Sequence, residues 1–554
     1  MYNILIGGAA GQGIETTAEV LEKSLKEAGF YVLSVRDIMS RVRGGHNFIS
    51  IRFGEKPVYS HSRTYDVIIA MNAETIEIHK KELNQNGIIL CDSKIETSDD
   101  VLKLPMSQMA EEIGNVKVAG TIAVGAVLKL FGISNNSAVE ILKQMIKPEF
   151  VEMNKKAFEK GVQSVETRFK VIAGQLIESL ILSGSEAVGL GAIAAGVNFY
   201  SAYPMSPSTA VMEYLASVGE RAGIVVEQAE DEIAGINMAL GASYAGARAM
   251  TGTSGGGFCL KVEALGFSGI AEIPIVVIDV MRPGPATGLP TRTEQSDLKF
   301  VISASQGEFP RMVIALRSHE DAIYQTFRAF QMAEKYQIPV ILLSDQYLGD
   351  SHATIHLPDF KGKENILPDT TYSEGEYLRY KITKSGISKR LIPGKENVFV
   401  NVDSDEHDER GWIVESAEER VLMADKRSRK VSGLYDELLE PEFFGDENVK
   451  TLLVGWGSTY GPIKSAIEIL NKQNNGGYGA LLFGDVFPLP KKLFETYAMK
   501  ADKLINVEQN ATGQLAGLIR EYTGVAMDDS ILKYDGRQIS GEEIIEKLQK
   551  GDQK

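Results

Sequence analysis

Short apolar runs alternate along the chain with amphipathic stretches whose apolar residues recur every three or four positions. The run YNILIGG predicts a buried strand, ETTAEVLEKSLKEAGF predicts a helix ending near Gly29, and YVLSV, YDVIIAMN and GIILCDS predict further strands. Strands that alternate with helices are typical of parallel sheets covered by helices. The pattern therefore predicts a parallel, doubly wound sheet from Met1 to about Lys170.

A second unit with the same alternation begins near Ser179 and closes at Asp345. Its predicted strands are GIVVEQ, RAMTGTS, IPIVVIDV and IPVILLSD, and the helix EDEIAGINMALGASYAG separates the first two. A charged, strand-poor stretch follows, and then KTLLVGWGS, a helix from about Gly461, YGALLFGD and ADKLINVEQ form a third unit. We therefore predict an α/β protein of three doubly wound units.

Charge and cysteine content narrow the class of protein. The 554-residue chain has a net charge of −16, which argues against nucleic acid or an anionic membrane as the main partner. No apolar run is long enough to span a bilayer and the first residues lack the basic start of a signal peptide, so we expect a cytoplasmic protein. Cys91 and Cys259 fit no C-x-x-C motif, and two thiols cannot hold a four-cysteine iron–sulfur cluster.

The N-terminal glycine cluster GGAAGQG directly follows the first predicted strand. Its backbone amides and the helix behind them are suited to a phosphate, but the spacing differs from G-x-G-x-x-G, so no dinucleotide fingerprint is met. A turn packed closely on the sheet is the alternative. The nearby RVRGGHN, with two arginines, is typical of an anion-binding or interface loop.

The stretch FYSAYPMSPST interrupts the second unit after an apolar, glycine-rich segment. Pro204 and Pro207 exclude a helix or a central strand there, while Tyr203, Ser206 and Ser208 surround the break with hydroxyls. The break therefore predicts a loop that presents hydroxyl groups.

The helix that follows GIVVEQ starts with several acids. Acids in a first helical turn ordinarily stabilise the helix dipole. Glu232, however, opens a face of small residues, including Gly235 and Gly241, that permits close approach of another backbone or a flat ligand. From the residues alone both interpretations stay open.

Two further candidate segments follow predicted strands. TGTSGGGF carries hydroxyls followed by three glycines, and MRPGPATGLPTRTEQSDL presents Arg282, Thr291 and Arg292 between prolines and glycines. A guanidinium binds a carboxylate through two hydrogen bonds, so this loop is a candidate carboxylate site, with a structural arginine as the alternative. His407, among the acids of DSDEHDERG, has no metal-ligand spacing and is predicted to lie in a solvated loop.

Taken together, these motifs resemble the fused gamma–alpha chain of the 2-oxoacid:ferredoxin oxidoreductases. GGAAGQGIETTAEVL and RVRGGHN match the gamma portion; YPMSPST, EDEIAGINMALGASYAG and RPGPATGLPTRTEQSDL match the alpha portion; SDEHDERG and VEQNATGQLAGLI match its C-terminal part. The resemblance implies a gamma-type Rossmann-like domain at residues 1–172, a thiamine pyrimidine-binding domain at 178–360 and a transketolase C-terminal-like domain, with the charged insertion, at 361–554.

The resemblance also implies cofactors and residue roles. Glu232 would hydrogen-bond the pyrimidine of thiamine diphosphate; it is preferred over Glu230 because thiamine enzymes place a glycine nine residues later, where Gly241 stands. Arg282 would position the substrate carboxylate. The other implied contacts are Ser206 and Thr291 for the substrate, Tyr203, Pro204, Thr253 and Ser254 for the cofactor, and Gly11, Gln12, Gly13, Arg43, Gly44 and Gly45 for coenzyme A or an interface.

The implied reaction is the coenzyme A-dependent oxidative decarboxylation of a 2-oxoacid, 2-oxoglutarate first, with reduction of ferredoxin. The chain lacks a G-D-G…N motif and cluster cysteines, so a β subunit is expected to supply Mg²⁺ and the iron–sulfur cluster and to receive ferredoxin, in a dimer of αβ pairs. Pyruvate or branched-chain 2-oxoacids remain open as substrates. An NAD-dependent dehydrogenase and a non-catalytic scaffold subunit are the alternatives from other classes.

Overall fold

The computed structural model describes residues 1–39, 45–133, 136–372 and 375–551, and its strands form three sheets connected largely by helices. The strands are β1 Tyr2–Gly8, β2 Tyr31–Asp37, β3 Asn47–Gly54, β4 Tyr65–Ala70, β5 Leu83–Asp92, β6 Leu102–Leu104, β7 Ser179–Ser183, β8 Phe199–Ala202, β9 Val225–Gln228, β10 Ala249–Thr253, β11 Ile275–Met281, β12 Met312–Ala315, β13 Pro339–Asp345, β14 His352–His356, β15 Glu442–Gly445, β16 Thr451–Trp456, β17 Tyr478–Phe483, β18 Asp485–Phe487, β19 Lys503–Glu508 and β20 Asp529–Leu532.

The helices lie between these strands in the order that the amphipathic segments predict. They are α1 Ile14–Glu27, α2 Ala73–His79, α3 Met106–Ile113, α4 Ala119–Leu130, α5 Asn136–Met145, α6 Pro148–Gln163, α7 Gly184–Ala194, α8 Thr209–Ala222, α9 Glu232–Tyr244, α10 Gly255–Ala271, α11 Leu298–Ile302, α12 His319–Tyr336, α13 Gln346–Asp350, α14 Ala417–Glu437, α15 Tyr460–Asn474, α16 Lys492–Ala498, α17 Gln514–Thr523 and α18 Gly541–Gly551.

Contacts divide the chain into two units. The first unit comprises Met1–Ser183, Asp350–Leu357 and Ser540–Glu543, and the second comprises the remaining described residues. The predicted bounds of the three domains stay a prediction.

The sheet of the first unit is mixed rather than wholly parallel. Its strand order is β6-β5-β4-β1-β3-β2-β14-β7, in which β1, β4, β5 and β6 run parallel while β3 runs antiparallel to both β1 and β2. The sequence interpretation missed β3. Too few residues separate Asp37 from Asn47 for a crossover helix, so the chain returns antiparallel, and the expectation of a parallel sheet holds only for one half.

The second unit contains two sheets, which confirm the predicted α/β class. The seven-stranded sheet has the order β18-β12-β13-β11-β10-β8-β9 and is parallel except at β18; the five-stranded sheet has the order β15-β17-β16-β19-β20 and is parallel except at β15. In the seven-stranded sheet β11 lies between β13 and β10, and all of its residues are buried. A strand buried on both faces is typically apolar throughout, and Asp279 is its one acid.

The charged, strand-poor stretch between β14 and α14 packs through buried side chains. Arg390 Nη2 lies 2.6 Å from Glu334 Oε1, and Arg379 Nη1 donates to Gln337 Oε1 at 3.0 Å. His407 is fully buried, with Nε2 3.2 Å from the carbonyl oxygen of Ile270. The expectation of a solvated loop at His407 is therefore wrong, because the acids around it belong to a packed segment.

Candidate functional site

The candidate site lies at the carboxyl ends of β8, β10 and β11, three strands of the seven-stranded sheet. Parallel strands all end at the same edge of a sheet, which is where open α/β sheets bind ligands. The loop after β8 contains the YPMSPST motif, β10 ends in Thr253 before the glycines of α10, and β11 is followed by Arg282. Three segments that are distant in sequence therefore meet at one edge.

The YPMSPST loop contacts both neighbouring segments. Arg282 Nη1 donates to the backbone oxygen of Ser206 at 2.6 Å, and Thr253 Oγ1 lies 3.9 Å from the sulfur of Met205. Ser208 Oγ donates to the oxygen of Met205 at 2.7 Å, which closes the turn within the loop. The structure thus joins Arg282 to Ser206 and places Thr253 beside Met205 of the same loop, while their proposed roles toward ligands stay predictions.

Glu232 opens α9 and points into the interior. Asp231 caps the helix, its side chain accepting from the amide of Ala234 at 2.7 Å, so Glu232 is free for another role. Glu232 is only 4% exposed, and its Oε1 atom is enclosed without a hydrogen-bond partner among the described residues. Glu230, by contrast, is exposed. A buried carboxylate oxygen without a donor indicates a missing ligand group.

The glycines at the start of α10 leave room for these side chains. An added Cβ at Gly257 would lie 2.3 Å from Thr253 Oγ1 and 2.7 Å from Glu232 Oε1, whereas at Gly256 the nearest atom would be 3.8 Å away. Gly257 is therefore required by the close approach of Glu232, and Gly256 is not. Next to them, Ser254 is fully buried and its hydroxyl has no partner among the described residues.

Lys261 lies on the buried face of α10 and was not anticipated from the sequence. Its Nζ donates to the backbone oxygen of Glu232 at 3.1 Å and to Thr251 Oγ1 at 3.0 Å. Burial lowers the pKa of Lys261 to about 8, although the Glu232 carboxylate opposes that shift. A single lysine within the apolar run GFCLKVEALGF, at a helix position facing the core, was the available signal.

Asp279 and Asp297 form a carboxyl pair near the carboxyl end of β11. Neither residue was anticipated from the sequence. Asp279 is fully buried on β11, and Asp297 precedes α11 with its Oδ2 enclosed. An added Cβ at Gly255 would lie 2.5 Å from that Oδ2 atom. Burial raises the pKa of Asp279 well above its usual range, and Asp297 adds to that shift. Burial also raises the pKa of Asp297 to about 6, with Ser296, Asp279 and Arg282 opposing the shift.

Of the other predicted residues, Tyr203 and Pro204 belong to the YPMSPST loop itself, whereas Thr291 lies outside the contacts described above. Tyr203 is 39% exposed, Pro204 is partly buried beside it, and no described contact joins Thr291 to Arg282 or Ser206. Gly241 is exposed on α9, and an added Cβ there would meet nothing within 4 Å. The close helix packing expected at Gly241 is therefore not found among the residues that the structure describes.

The glycine loop of the first unit has a different construction. Gly11 and Gly13 adopt left-handed φ values of 91° and 78°, and Gly13 immediately precedes α1. Gln12 completes the loop, because its Oε1 accepts from the amide of Ala9 at 2.6 Å and its Nε2 donates to the oxygen of Met71 at 3.3 Å. Of the second loop, Gly45 has a φ of 78°, and Arg43 and Gly44 lie outside the described residues.

Family models match most of the chain. Residues 190–426 match the model described as pyruvate flavodoxin/ferredoxin oxidoreductase, thiamine diP-bdg. Residues 3–164 match the model described as pyruvate ferredoxin/flavodoxin oxidoreductase.

Individual relatives agree with these models. The chain is 32% identical to the 2-oxoacid:ferredoxin oxidoreductase subunit alpha of a Sulfolobus species, over 98% of this chain and 96% of that protein. It is 35% identical to the 2-oxoglutarate synthase subunit KorA of Archaeoglobus fulgidus, over 60% of this chain and 89% of the relative. A solved 2-oxoglutarate:ferredoxin oxidoreductase from Magnetococcus marinus, with 2-oxoglutarate, coenzyme A and succinyl-CoA bound, matches with a TM-score of 0.93 and 32% identity over 99% of both chains.

No helix among the described residues combines the length and the apolar character that a membrane span requires.

Proposed function

The chain belongs to the family of 2-oxoacid:ferredoxin oxidoreductase alpha subunits, and on that premise we propose that it contributes the pyrimidine-binding half of a thiamine diphosphate site shared with a β subunit. The observation that carries this proposal is the enclosed, unpartnered Oε1 atom of Glu232. A pyrimidine ring nitrogen that carries a proton would supply the missing donor. The hydroxyl of Ser254, buried without a partner among the described residues, and the open space at Gly256 suit a further ligand contact at the start of α10.

When bound, thiamine diphosphate supplies the nucleophilic carbon that adds to a 2-oxoacid and accepts the electrons released as carbon dioxide leaves. Glu232 holds the proton at the pyrimidine nitrogen. The buried Lys261 fixes the start of α9 through the backbone oxygen of Glu232, which keeps the carboxylate aimed at that nitrogen. Thr253 lies with Glu232 against Gly257, and Ser254 is the proposed neighbouring contact for the cofactor.

Arg282 positions the substrate carboxylate. It is held by the backbone oxygen of Ser206, and its Nε atom is enclosed without an acceptor among the described residues. Burial lowers the pKa of Arg282, with Asp297 opposing that shift, yet a guanidinium stays charged in proteins. Ser206 and Thr291 are the proposed contacts for the keto group or the substrate tail.

The reaction we propose is 2-oxoacid plus coenzyme A giving acyl-CoA and carbon dioxide, with two electrons passing to ferredoxin. We favour 2-oxoglutarate because the Magnetococcus structure binds it and the Archaeoglobus relative is named for it. Coenzyme A is proposed as co-substrate, with Gly11, Gln12, Gly13 and Gly45 as candidate contacts.

A β subunit is proposed to complete the site with Mg²⁺, the diphosphate contacts and the iron–sulfur cluster. Helices α9 and α10 support this, because Ile233, Met238 and Leu260 are exposed to 51%, 39% and 50% on the helices that frame Glu232. Apolar side chains exposed beside half of a cofactor site are typical of a subunit interface. We propose a dimer of such αβ pairs, located in the cytoplasm and contacting ferredoxin through the β subunit.

The test compares the purified chain with the purified αβ complex. Calorimetry with thiamine diphosphate and Mg²⁺ should show weak or no binding to the chain alone and stoichiometric binding to the complex. The chain alone should be colourless and the complex brown. A panel of 2-oxoacids with coenzyme A and a viologen acceptor should then give the highest kcat/KM for 2-oxoglutarate. Tight binding of thiamine diphosphate by the chain alone would contradict the shared site.

A further inference from the structure

The carboxyl edge of the five-stranded sheet is occupied by another part of the same chain. In the order β15-β17-β16-β19-β20, β16 pairs in parallel with β17 on one side and with β19 on the other. The chain therefore turns to opposite sides of β16, and open α/β sheets bind their ligands at such a switch point, beyond the carboxyl ends of the strands. Here that position holds Gln295, from the loop between β11 and α11.

Gln295 is fully buried and is bound there through all of its polar groups. Its Nε2 donates to the backbone oxygen of Trp456, the last residue of β16, at 2.7 Å, and its Oε1 accepts from the amide of Gln509 at 3.0 Å. Its backbone amide donates to the oxygen of Gln509 at 2.7 Å, and its backbone oxygen accepts from Asn510 Nδ2 at 3.1 Å. Gln509 and Asn510 directly follow β19, so Gln295 fills the crevice between β16 and β19 as a ligand would.

Residues on both sides of Gln295 are held in the same way. Gln514, the first residue of α17, donates through Nε2 to the backbone oxygen of Ser296 at 2.7 Å and accepts through Oε1 from the amide of Lys299 at 2.9 Å. The amide of Thr293 donates to the oxygen of Gly536 at 3.3 Å. One limb of the loop is thus fixed to the C-terminal part of the chain.

The other limb of the loop lies beside the candidate site. It starts at Arg282, whose backbone oxygen accepts weakly from Ser296 Oγ at 3.4 Å, so the two limbs touch at their base. Farther along, an added Cβ at Gly256 would lie 3.8 Å from the oxygen of Ala286, which places the loop next to the start of α10. The position of the loop at the site therefore depends on the limb that is fixed.

The anchoring residues come from one motif, VEQNATGQLAGLI, which contains Gln509, Asn510 and Gln514. Glu508 of the same motif fixes its turn, because its Oε2 accepts from Trp456 Nε1 at 3.0 Å and from Asn510 Nδ2 at 2.9 Å. The side chains that receive the loop are thereby held in place by the sheet itself.

We propose that the carboxyl edge of the five-stranded sheet is a docking site for residues 282–297 of the same chain, and that Gln295 and Gln514 are positioning residues for the 2-oxoacid. This inference rests on the proposed function of Arg282 and Thr291, which the loop presents. A loop that is tied down before the substrate arrives need not be ordered on binding, so docking lowers KM. The edge thus holds the loop rather than a second small molecule.

Steady-state kinetics of the αβ complex test the positioning role. Gln514→Met keeps the length of the side chain but loses both hydrogen bonds to the loop, and Gln295→Ala loses both side-chain bonds to the sheet edge. Each variant should raise KM for 2-oxoglutarate about three- to tenfold, since single hydrogen bonds are of modest strength. We expect kcat, KM for coenzyme A and the affinity for thiamine diphosphate to stay within about twofold of the wild type.

Asn471→Ala is the matched control. The side-chain amide of Asn471 makes two hydrogen bonds to the backbone of Tyr478, at 2.8 and 2.9 Å, at the amino end of β17 and so at the opposite edge of the same sheet. This variant loses as many amide hydrogen bonds as Gln514→Met and should keep the wild-type KM. An equal rise of KM in Asn471→Ala, or an unchanged KM in both loop variants, would overturn the proposal.

Hydrogen exchange of the full chain tests the docking without cofactor or substrate. The amides of Thr293, Gln295 and Lys299 donate to the C-terminal part of the chain, so a peptide covering residues 290–299 should exchange slowly. Gln514→Met should speed its exchange about tenfold or more, and Asn471→Ala should not. Wild-type exchange as fast as that of an unfolded chain would show that the loop is not docked.

The two measurements separate this inference from the proposed function. If the wild-type complex does not reduce the acceptor with any 2-oxoacid, the proposed function fails, whereas slow exchange would still support docking of the loop. If the complex is active and Gln514→Met exchanges faster without a change in KM, the docked loop does not position the substrate and the inference fails.

Discussion

Two glycine loops of this chain look alike in sequence but are built on different physical requirements. In GGAAGQG, Gly11 and Gly13 are needed for their left-handed backbone, and an added Cβ at either would meet nothing within 4 Å. In TSGGG, Gly257 is helical and is needed because side chains of the site lie against it. The glycines of the first loop are therefore required by the backbone conformation, whereas Gly257 of the second loop is required by the side chains packed against it.

The polar groups of the two loops differ in the same way. In the first loop, the side-chain amide of Gln12 accepts a hydrogen bond from the backbone amide of Ala9 and donates one to the backbone oxygen of Met71. At the second loop, the Glu232 Oε1 and the Ser254 hydroxyl are enclosed and unpartnered among the described residues. A glycine-rich loop after a strand is thus weak evidence for a ligand, whereas enclosed polar atoms without partners beside one are strong evidence.

The largest effect that would test this comparison comes from Glu232. Glu232→Gln should lower kcat of the αβ complex by about 10²- to 10⁴-fold, because the amide cannot hold the pyrimidine proton in the same way. The urea midpoint of the chain should stay close to that of the wild type. Glu230→Gln is the matched control, since Glu230 is exposed, and an inactive Glu230→Gln with an active Glu232→Gln would contradict the assignment.

The next effect concerns the arginine of the site. Arg282→Ala removes a charge-assisted contact of about 2–3 kcal/mol, so KM should rise about 30- to 150-fold for every 2-oxoacid, whatever its tail. Steady-state kinetics with 2-oxoglutarate and pyruvate measure this. An increase confined to the dicarboxylic acid would place Arg282 at the substrate tail instead.

A comparison of Gly257→Ala with Gly256→Ala tests whether contact with Glu232 explains the glycine of the second loop. The Cβ at residue 257 would overlap Thr253 and Glu232, at a cost of about 1–3 kcal/mol in the free energy of unfolding, and should weaken thiamine diphosphate binding to the complex. Gly256→Ala meets its nearest atom only at 3.8 Å and should be close to neutral. Equal losses in the two variants would mean that contact with Glu232 does not explain the glycine.

The smallest effect belongs to the first loop. Gly13→Ala forces an L-residue into a φ of 78° and should lower the free energy of unfolding by about 1 kcal/mol, with no steric overlap. Chemical denaturation measures it. A loss several times larger would show that the two loops are built alike.

The sequence predicted the parts of the site that are local. Each strand end and the proline break after β8 follow from patterns within a few residues. The choice of Glu232 over Glu230, which the family resemblance implies, stays a prediction. The family and the α/β class followed from the order of the motifs.

The missed residues share one property, which is that their partners are distant in sequence. Lys261 bonds to Thr251 and Glu232, and Asp279 pairs with Asp297, which belongs to another segment. The local pattern around an acid in a buried strand does not indicate which distant residue lies next to it. The antiparallel strand β3 is a different case, because it pairs with the preceding strand β2 and its direction follows from the short connection between them.

The strand-poor segment before α14 has a practical consequence. Segments without regular structure are usually the first to be cut by proteases, because they unfold locally at little cost. Here Tyr380 and His407 are fully buried with their ring centroids 3.9 Å apart, and Arg390 is held by Glu334. Trypsin should therefore cleave poorly at Arg379 and Arg390. A shortened chain that lacks the segment between β14 and α14 should not fold.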